Sequence, residues 1–142
     1  MFFKSKPATA DYPIQRTEAE WRAALDPMAF KVLREHATER AGTSPLNAEK
    51  RAGMFHCAGC GTALFESDTK FESGTGWPSF FSRVEGNVGE TEDNSFFMRR
   101  TEVHCAACGG HQGHVFPDGP APTGLRYCIN GAALEFRPDE GA

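Results

Sequence analysis

One of the five cysteines in this sequence stands apart from the other four. Cys128 lies in the stretch 124–131, Gly-Leu-Arg-Tyr-Cys-Ile-Asn-Gly, whose apolar and β-branched residues between glycines predict a short strand over 125–129. Alternate residues of a strand share a face, so Arg126, Cys128 and Asn130 are expected on one face while the residues between them pack. A cation beside a thiol favours the thiolate, which is the nucleophilic form. The alternative is a buried cysteine that packs as a small hydrophobic residue.

The other four cysteines form two Cys-x-x-Cys pairs, Cys57/Cys60 and Cys105/Cys108, each followed by glycine. Four thiolates suit a tetrahedral zinc ion, and a closed four-sulfur site is structural. We therefore predict one zinc ion per chain, which staples two distant hairpins. Two disulfides or a thioredoxin-like redox pair are alternatives. An intracellular setting and the absence of a βαβ pattern disfavour them.

Three further signals point to chemistry near Cys128. His111 and His114 lie on a polar, glycine-containing stretch, and imidazoles can transfer protons near neutral pH. Trp77, between Gly76 and Pro78, would be held in a fixed position. Ordinary surface or core histidines and a core tryptophan remain alternatives, as does Asn130 as a turn former. Together these residues indicate thiol chemistry on a small, soft substrate.

Composition excludes several classes of function. Fifteen Lys and Arg against 19 Asp and Glu give a net charge of −4, and no basic run is present, so a nucleic-acid surface is not expected. No apolar run reaches membrane-spanning length, and residues 1–7 are too polar for a signal peptide. We expect a cytoplasmic protein. Fifteen Gly, nine Pro and twelve Phe suit a mainly β chain.

The chain is predicted to hold one domain, residues 17–137, between a tail at 1–16 and another at 138–142. Thr17 to Glu20 fit a capping box that begins a helix. Asp26-Pro27 begins a second helix, which Gly42 to Pro45 are expected to end. We interpret this helical segment as a lid on a sheet, since strand patterns follow from Gly53 onward.

Six linked motifs give the chain a specific resemblance to the B-type peptide methionine-R-sulfoxide reductases. It covers roughly residues 17 to 137. The motifs are Cys57-Ala-Gly-Cys60, Ser73-Gly-Thr-Gly-Trp-Pro-Ser-Phe80, Met98-Arg-Arg-Thr-Glu-Val103, Cys105-x-x-Cys108, His111-x-Gly-His-Val-Phe-Pro-Asp-Gly-Pro120 and Gly124-Leu-Arg-Tyr-Cys-Ile-Asn-Gly131.

The resemblance implies a mainly β fold of two antiparallel sheets in a tent-like arrangement, with short N-terminal helices. It implies catalysis at Cys128, with His111, His114 and Asn130 as polar site residues, and it places Trp77 on the methyl group of the substrate. We further expect Arg126 and Phe116 to contact the substrate. The expected reaction passes through a sulfenic acid on Cys128, which thioredoxin or another thiol then reduces, and a monomer is expected.

Three positions depart from the family pattern. Thr75 stands where many relatives carry a resolving cysteine, and Phe96 and Phe97 stand where many carry a histidine. Gln112 replaces a usual leucine. A non-enzymatic, zinc-containing β-tent binding module is the alternative function, since a shared fold does not fix function.

Overall fold

The computed structural model describes residues 12–140, which form two helices and nine strands in two antiparallel sheets. The predicted mainly β class is therefore confirmed. Of the predicted tails, residues 1–11 and 141–142 lie outside the described residues. No helix within 12–140 has the length and apolar character needed to cross a membrane. The elements are α1 Glu18–Ala24, α2 Pro27–Glu35, β1 Gly53–Cys57, β2 Ala63–Glu66, β3 Lys70–Phe71, β4 Ser79–Phe80, β5 Val88–Asp93, β6 Arg100–Cys105, β7 His111–Phe116, β8 Arg126–Ile129 and β9 Leu134–Pro138.

The two helices begin as their caps predict. Thr17 and Glu20 form the reciprocal capping box of α1, and the side chain of Asp26 accepts from the Ala29 N–H at the start of α2. The expected end of α2 was wrong, because the helix stops at Glu35 and His36 adopts a left-handed backbone with φ 58°. A left-handed residue after the last turn closes a helix by satisfying its final carbonyl groups.

The smaller sheet has the strand order β2-β1-β9, and the larger has β3-β4-β8-β7-β6-β5. Strand β8 thus lies inside the larger sheet, where Cys128 is paired with Ser79 of β4 and with His114 of β7. Tyr127 and Ile129 are buried, whereas Cys128 is partly exposed on the opposite face, as the alternation predicted.

Aromatic side chains fill the space between the sheets. Phe65 of β2 stacks on Phe80 of β4 with ring centroids 4.5 Å apart, and Phe55 of β1 meets Phe80 edge to face at 5.0 Å. Offset and edge-to-face pairs are favoured over direct stacking of the ring faces by the ring quadrupoles. The core therefore fixes the position of β4 and, through its pairing, that of β8.

Glu39 joins three segments that are distant in sequence. Its buried carboxylate accepts the N–H groups of Gly131 and Ala132, at 2.9 and 2.8 Å, at the start of a 3₁₀ helix that follows β8. Its own N–H donates to the side chain of Asn130, and its carbonyl accepts from the indole of Trp77. The N–H groups at a helix start lack intrahelical partners, so a carboxylate is well suited to satisfy them.

We predict that Glu39→Ala lowers the free energy of unfolding by about 2–6 kcal/mol, since it leaves two N–H groups without their acceptor at about 1–3 kcal/mol each. Urea unfolding measures this. Glu35→Ala is the matched control: its carboxylate is exposed and pairs with Arg22, so the change should stay within about 1 kcal/mol. Equal losses in the two variants would contradict the role of Glu39.

Candidate active site and metal centre

Cys128 opens into a cavity of about 120 Å³ on the face of β8 turned away from the core. His114 is its cross-strand partner, and such partners share a face with their Cβ atoms about 4.5–5.5 Å apart. The cavity is lined by Thr38, Trp77, Arg100, Gly113, His114, Phe116, Cys128 and Asn130. The structure thus brings together a thiol, an imidazole, a guanidinium and two aromatic rings.

A larger cavity of about 790 Å³ lies beside the junction of α1 and α2, between Leu25 and Phe136. The residues that line it include neither a histidine nor Cys128. Although it is larger, this cavity lacks the side chains that thiol chemistry needs. The smaller cavity at Cys128 is therefore the candidate active site.

Burial raises the pKa of the Cys128 thiol. Thr75, whose Oγ1 lies 3.8 Å from the sulfur, and the positive charge of Arg126 act in the opposite direction without cancelling it. Arg126 therefore does favour the thiolate, but burial has the larger effect. The physical reason is that desolvation of the anion outweighs the nearby cation.

Arg126 itself is directed toward Asp118 rather than into the cavity. Its Nε and Nη2 donate to the two carboxylate oxygens at 2.8 and 3.1 Å, and its guanidinium lies over the Phe116 ring, 4.4 Å from the centroid. Phe116 lines the cavity, whereas Arg126 is absent from the lining residues. The ion pair with Asp118 and the cation–π contact therefore hold the Arg126 guanidinium against the ring of Phe116.

His114 is oriented by a carboxylate that was not identified from the sequence. Its Nε2 lies 2.8 Å from Oδ2 of Asp93 at the end of β5, and the Ser95 N–H holds the other oxygen at 3.0 Å. The bond to His114 lowers the pKa of Asp93, so this carboxylate is ionised. Burial lowers the pKa of His114, and the bond to Asp93 only partly offsets it. At neutral pH, neutral His114 therefore faces protonated Cys128.

His111 packs edge to face against His114, with ring centroids 5.6 Å apart. It is not among the residues that line the Cys128 cavity. Its Nδ1 is 2.8 Å from Glu102, whose other oxygen is 3.1 Å from Nδ1 of His104. Burial opposes ionisation of Glu102, but the hydrogen bonds from the two histidines outweigh it and lower its pKa to about 2. The side chain of His104 is only 12% exposed, so this pair of histidines encloses the carboxylate of Glu102.

Trp77 and Asn130 are both held through the Glu39 segment. The Trp77 Nε1–H donates to the carbonyl of Glu39 at 3.0 Å. The Asn130 amide accepts from the Glu39 N–H and donates to the Gln112 carbonyl, each at 2.9 Å. Trp77 thus presents a fixed ring to the cavity, and both ends of the Asn130 amide are bonded to backbone groups.

The two Cys-x-x-Cys pairs meet in space, as their spacing predicted. Turns after β1 and β6 bring the sulfurs together: Cys57 and Cys108 are 3.8 Å apart, and Cys60 and Cys105 are 3.6 Å apart. All four sulfurs lie within 4.8 Å of one another and could hold a metal ion. Because β1 belongs to the smaller sheet and β6 to the larger, this four-cysteine centre joins the two sheets.

Two N–H groups near the four-cysteine centre are positioned to donate hydrogen bonds to its sulfurs. The Gly110 N–H lies 3.4 Å from the sulfur of Cys108, and the side-chain amide of Gln112 lies 3.6 Å from that of Cys57. Gln112, which stands where the sequence resemblance led us to expect leucine, is fully buried. Unlike leucine, glutamine can donate a hydrogen bond to a cysteine sulfur. Its N–H group is positioned to stabilise a thiolate at Cys57.

Comparison with known proteins identifies the family. A family model described as "SelR domain" matches residues 25–138, most of the chain. The chain belongs to the SelR-domain family. The resemblance seen in the sequence is thereby confirmed, since the relatives are named "Peptide methionine sulfoxide reductase MsrB".

The similarity to these MsrB proteins extends over nearly their whole length. The protein of Pseudomonas putida (strain W619) is 56% identical over 91% of this chain and 98% of its own. That of Bradyrhizobium diazoefficiens is 56% identical over 94% and 97%, and that of Methanosarcina barkeri is 51% identical over 92% and 93%. Alignments that cover 91% or more of the 142 residues include the cavity residues and the four-cysteine centre.

Sequence reasoning missed three residues near Cys128. Arg100 lines the cavity and belongs to the Met-Arg-Arg-Thr-Glu motif. The motif could have identified Arg100, but Arg126, two residues before Cys128, was expected to be the cation of the site. Thr38 follows the early end of α2, and nothing in its sequence context indicates a site. Asp93 ends a strand that is rich in polar residues, and only the pairing of β5 with β6 and of β6 with β7 brings it to His114.

The charges around Cys128 predict opposite effects of two substitutions on the pKa of its thiol. Arg126→Met removes a charge that lowers this pKa, so alkylation of Cys128 at pH 8 should slow. Asp118→Asn removes a charge that raises it, so alkylation should accelerate. The rate of iodoacetamide labelling of the Cys128 peptide against pH measures both shifts. Shifts of the same sign in the two variants would contradict this electrostatic balance.

Proposed function

We propose that this SelR-domain chain reduces the R epimer of methionine sulfoxide, in peptides or as the free amino acid, to methionine. The names of its MsrB relatives support the sulfoxide substrate, and the sequence resemblance supports the R epimer. The observation that carries the proposal is Cys128, a thiol separate from the four-cysteine centre, paired with His114 across a small cavity with aromatic walls. Methionine sulfoxide needs a separate enzyme for each epimer.

In the proposed reaction, the Cys128 sulfur attacks the sulfoxide sulfur and the oxygen is transferred to Cys128. Cys128 is oxidised by two electrons to a sulfenic acid, and the sulfoxide is reduced by two electrons to methionine. The thiol proton leaves Cys128 as the sulfoxide oxygen gains charge, so a single proton moved from sulfur to oxygen balances this half-reaction. A group that accepts and then donates that proton is therefore sufficient.

His114 is suited to this proton transfer. Its Nε2–H donates to ionised Asp93, which leaves Nδ1 as the acceptor in the neutral ring. Nδ1 accepts the Cys128 proton and donates it to the sulfoxide oxygen. Asp93 is then a positioning residue that fixes the tautomer. His111, which packs on His114, supports the ring from behind, and Asn130 positions the cavity wall.

The aromatic walls suit the apolar part of the substrate. Trp77 and Phe116 both line the cavity, and a sulfur–aromatic contact is worth about 0.3–1.5 kcal/mol. Arg100 lines the same cavity, and its buried Nε has no hydrogen-bond partner among the described residues. The Nη2 of Arg100 pairs with Oδ2 of Asp93 at 3.4 Å, so Nε is the buried donor left over. We assign this donor to the sulfoxide oxygen, because a cationic donor in a cavity stabilises developing negative charge. Arg126 acts on the substrate through Phe116.

The four-cysteine centre is proposed to hold one structural zinc ion. Tetrahedral coordination with Zn–S bonds of about 2.3 Å requires sulfurs about 3.8 Å apart. The distances of 3.6 and 3.8 Å already present support this assignment. Four thiolates saturate a tetrahedral ion, so the zinc supplies folding energy by joining the sheets rather than a reaction step.

The sulfenic acid is proposed to be reduced by an external thiol such as thioredoxin. The sequence holds five cysteines, and the zinc centre takes four of them. Thr75, beside Cys128, cannot form a disulfide. A monomeric, cytoplasmic protein remains our prediction.

Separated R and S epimers of methionine sulfoxide test the reductase proposal with dithiothreitol as reductant. The R epimer alone should be turned over, and Cys128→Ser should abolish turnover while the chain keeps one zinc ion by metal analysis. Turnover by Cys128→Ser would refute the assignment of Cys128. Reduction of both epimers would refute the proposed specificity for the R epimer. Absence of turnover by the wild type would favour the alternative function, a non-enzymatic binding module.

Asp93→Asn should lower kcat by about tenfold or more, with little change in KM. The loss should not exceed the roughly 10²- to 10⁴-fold expected when the acid–base group itself is removed. The amide can present N–H to Nε2 and so favours the wrong tautomer of His114. Glu92→Gln removes the same charge one residue away and leaves the bond from Asp93 to His114 intact. Steady-state kinetics on the R epimer that failed to separate these variants would contradict the positioning role.

Thr75→Cys should give this chain a resolving thiol. The Oγ1 of Thr75 lies 3.8 Å from the Cys128 sulfur, within reach of a disulfide after a small shift. One equivalent of substrate without reductant should consume one thiol in the wild type and leave a sulfenic acid that dimedone captures. The variant should lose two thiols and form a disulfide, and Thr75→Ser should behave like the wild type. Sulfenic acid that persists in Thr75→Cys would count against the approach of this loop to Cys128.

A further inference from the structure

Three metal-ligating side chains converge outside the four-cysteine centre, and neither the zinc nor the proposed reaction uses them as a group. His36 closes α2, Glu102 lies on β6 and His111 on β7. Oε2 of Glu102 is 2.8 Å from Nδ1 of His111 and 3.8 Å from Nε2 of His36. The ligand atoms of all three lie within 4.8 Å of one another.

These distances are close to those of a coordination sphere. Metal bonds of about 2.0–2.1 Å to nitrogen and oxygen place neighbouring ligand atoms about 3.0–3.4 Å apart. Of the two distances from Glu102, one is slightly shorter than this range and the other slightly longer, and the two histidine nitrogens lie within 4.8 Å of each other. Shifts of about 1 Å would therefore bring the three atoms onto one ion. The His36 side chain is 54% exposed and can make the larger of these shifts.

The cluster is also open to an ion from solvent. His36, Glu102 and His111 line a cavity of about 480 Å³, whose wall includes Asp93 and Glu92 as well as Arg100. The rings of His36 and His111 lie 4.8 Å apart at a tilt of 31°, so both imidazoles face the same region. The left-handed backbone of His36 is unusual for a residue other than glycine, and it brings the chain back over β7.

We propose that His36, Glu102 and His111 bind a divalent first-row transition metal ion. Two imidazoles and one carboxylate are the donors of the open sites that such ions occupy, and they leave further positions for water. Binding replaces the hydrogen on Nδ1 of His111, which is lost to Nε2 or to solvent. His104 keeps its bond to the other oxygen of Glu102 and so orients the carboxylate from the second shell.

An ion in this cluster would fix the ring of His111, which packs on His114. The cluster would then couple metal occupancy to the Cys128 cavity, and this part of the inference rests on the proposed function. Metal binding itself does not, because it can be measured on a protein whose Cys128 is blocked and which cannot turn over substrate.

The test is a calorimetric titration of Ni²⁺ into zinc-loaded protein alkylated at Cys128. His36→Asn is the decisive variant, since asparagine tolerates the left-handed backbone but lacks the imidazole. His56→Asn is the matched control, because His56 lies on β1 and bonds to the Gly61 carbonyl, outside the cluster. Metal analysis before and after the titration shows that the four-cysteine centre keeps its zinc.

Wild type and His56→Asn should each bind one Ni²⁺ per chain with the same affinity. His36→Asn should bind at least about tenfold more weakly, since even second-shell partners of a metal are worth about 10- to 100-fold in affinity. Equal binding by His36→Asn and wild type would overturn the proposal, as would wild type that binds no Ni²⁺ at millimolar concentration. The second result would identify the cluster as a hydrogen-bonded network only.

Discussion

The buried carboxylate of Glu39 is the constraint on which the candidate site depends. A carboxylate removed from water must find hydrogen-bond donors, and here two N–H groups at the start of the 3₁₀ helix after β8 supply them. The same residue bonds to Asn130 and to the Trp77 indole through its backbone. One residue of the segment after α2 thus fixes the end of β8 and the aromatic wall, and so determines the shape of the space beside Cys128.

The four-cysteine centre constrains the same end of the larger sheet, where Gln112 donates to the sulfur of Cys57 and accepts from Asn130 through its backbone carbonyl. It holds the turn after β1 against the turn between β6 and β7, and β7 carries His114 while β6 carries Arg100 and Glu102. A metal ion there would resist sliding of one sheet over the other and would hold the start of β7, the strand that carries His114. The metal and Glu39 thus hold the start of β7 and the end of β8, the two strands that carry the imidazole and the thiol.

The sequence was informative where chemistry is encoded locally. Strand alternation placed Cys128 opposite the buried Tyr127, and cysteine spacing predicted the four-sulfur cluster. Contacts between distant segments were not predictable in this way. Glu39 meets Gly131 only after folding, and Asp93 meets His114 only through the strand register. The end of α2 was misplaced because no glycine or proline marks His36, whose left-handed backbone depends on tertiary contacts.

The electrostatics of the site favour a neutral resting pair over an ion pair. Burial raises the pKa of Cys128 and lowers that of His114, and both shifts oppose transfer of the proton before substrate arrives. A permanently ionised thiolate would be exposed to oxidants whenever the cavity is empty, since thiolate character controls oxidation. In the reaction proposed above, a sulfoxide in the cavity would change this balance, because its oxygen would accept the proton while Arg100 would stabilise the negative charge that develops on it. On this proposal, loss of the Cys128 proton would be most favourable when a sulfoxide is present to react with it.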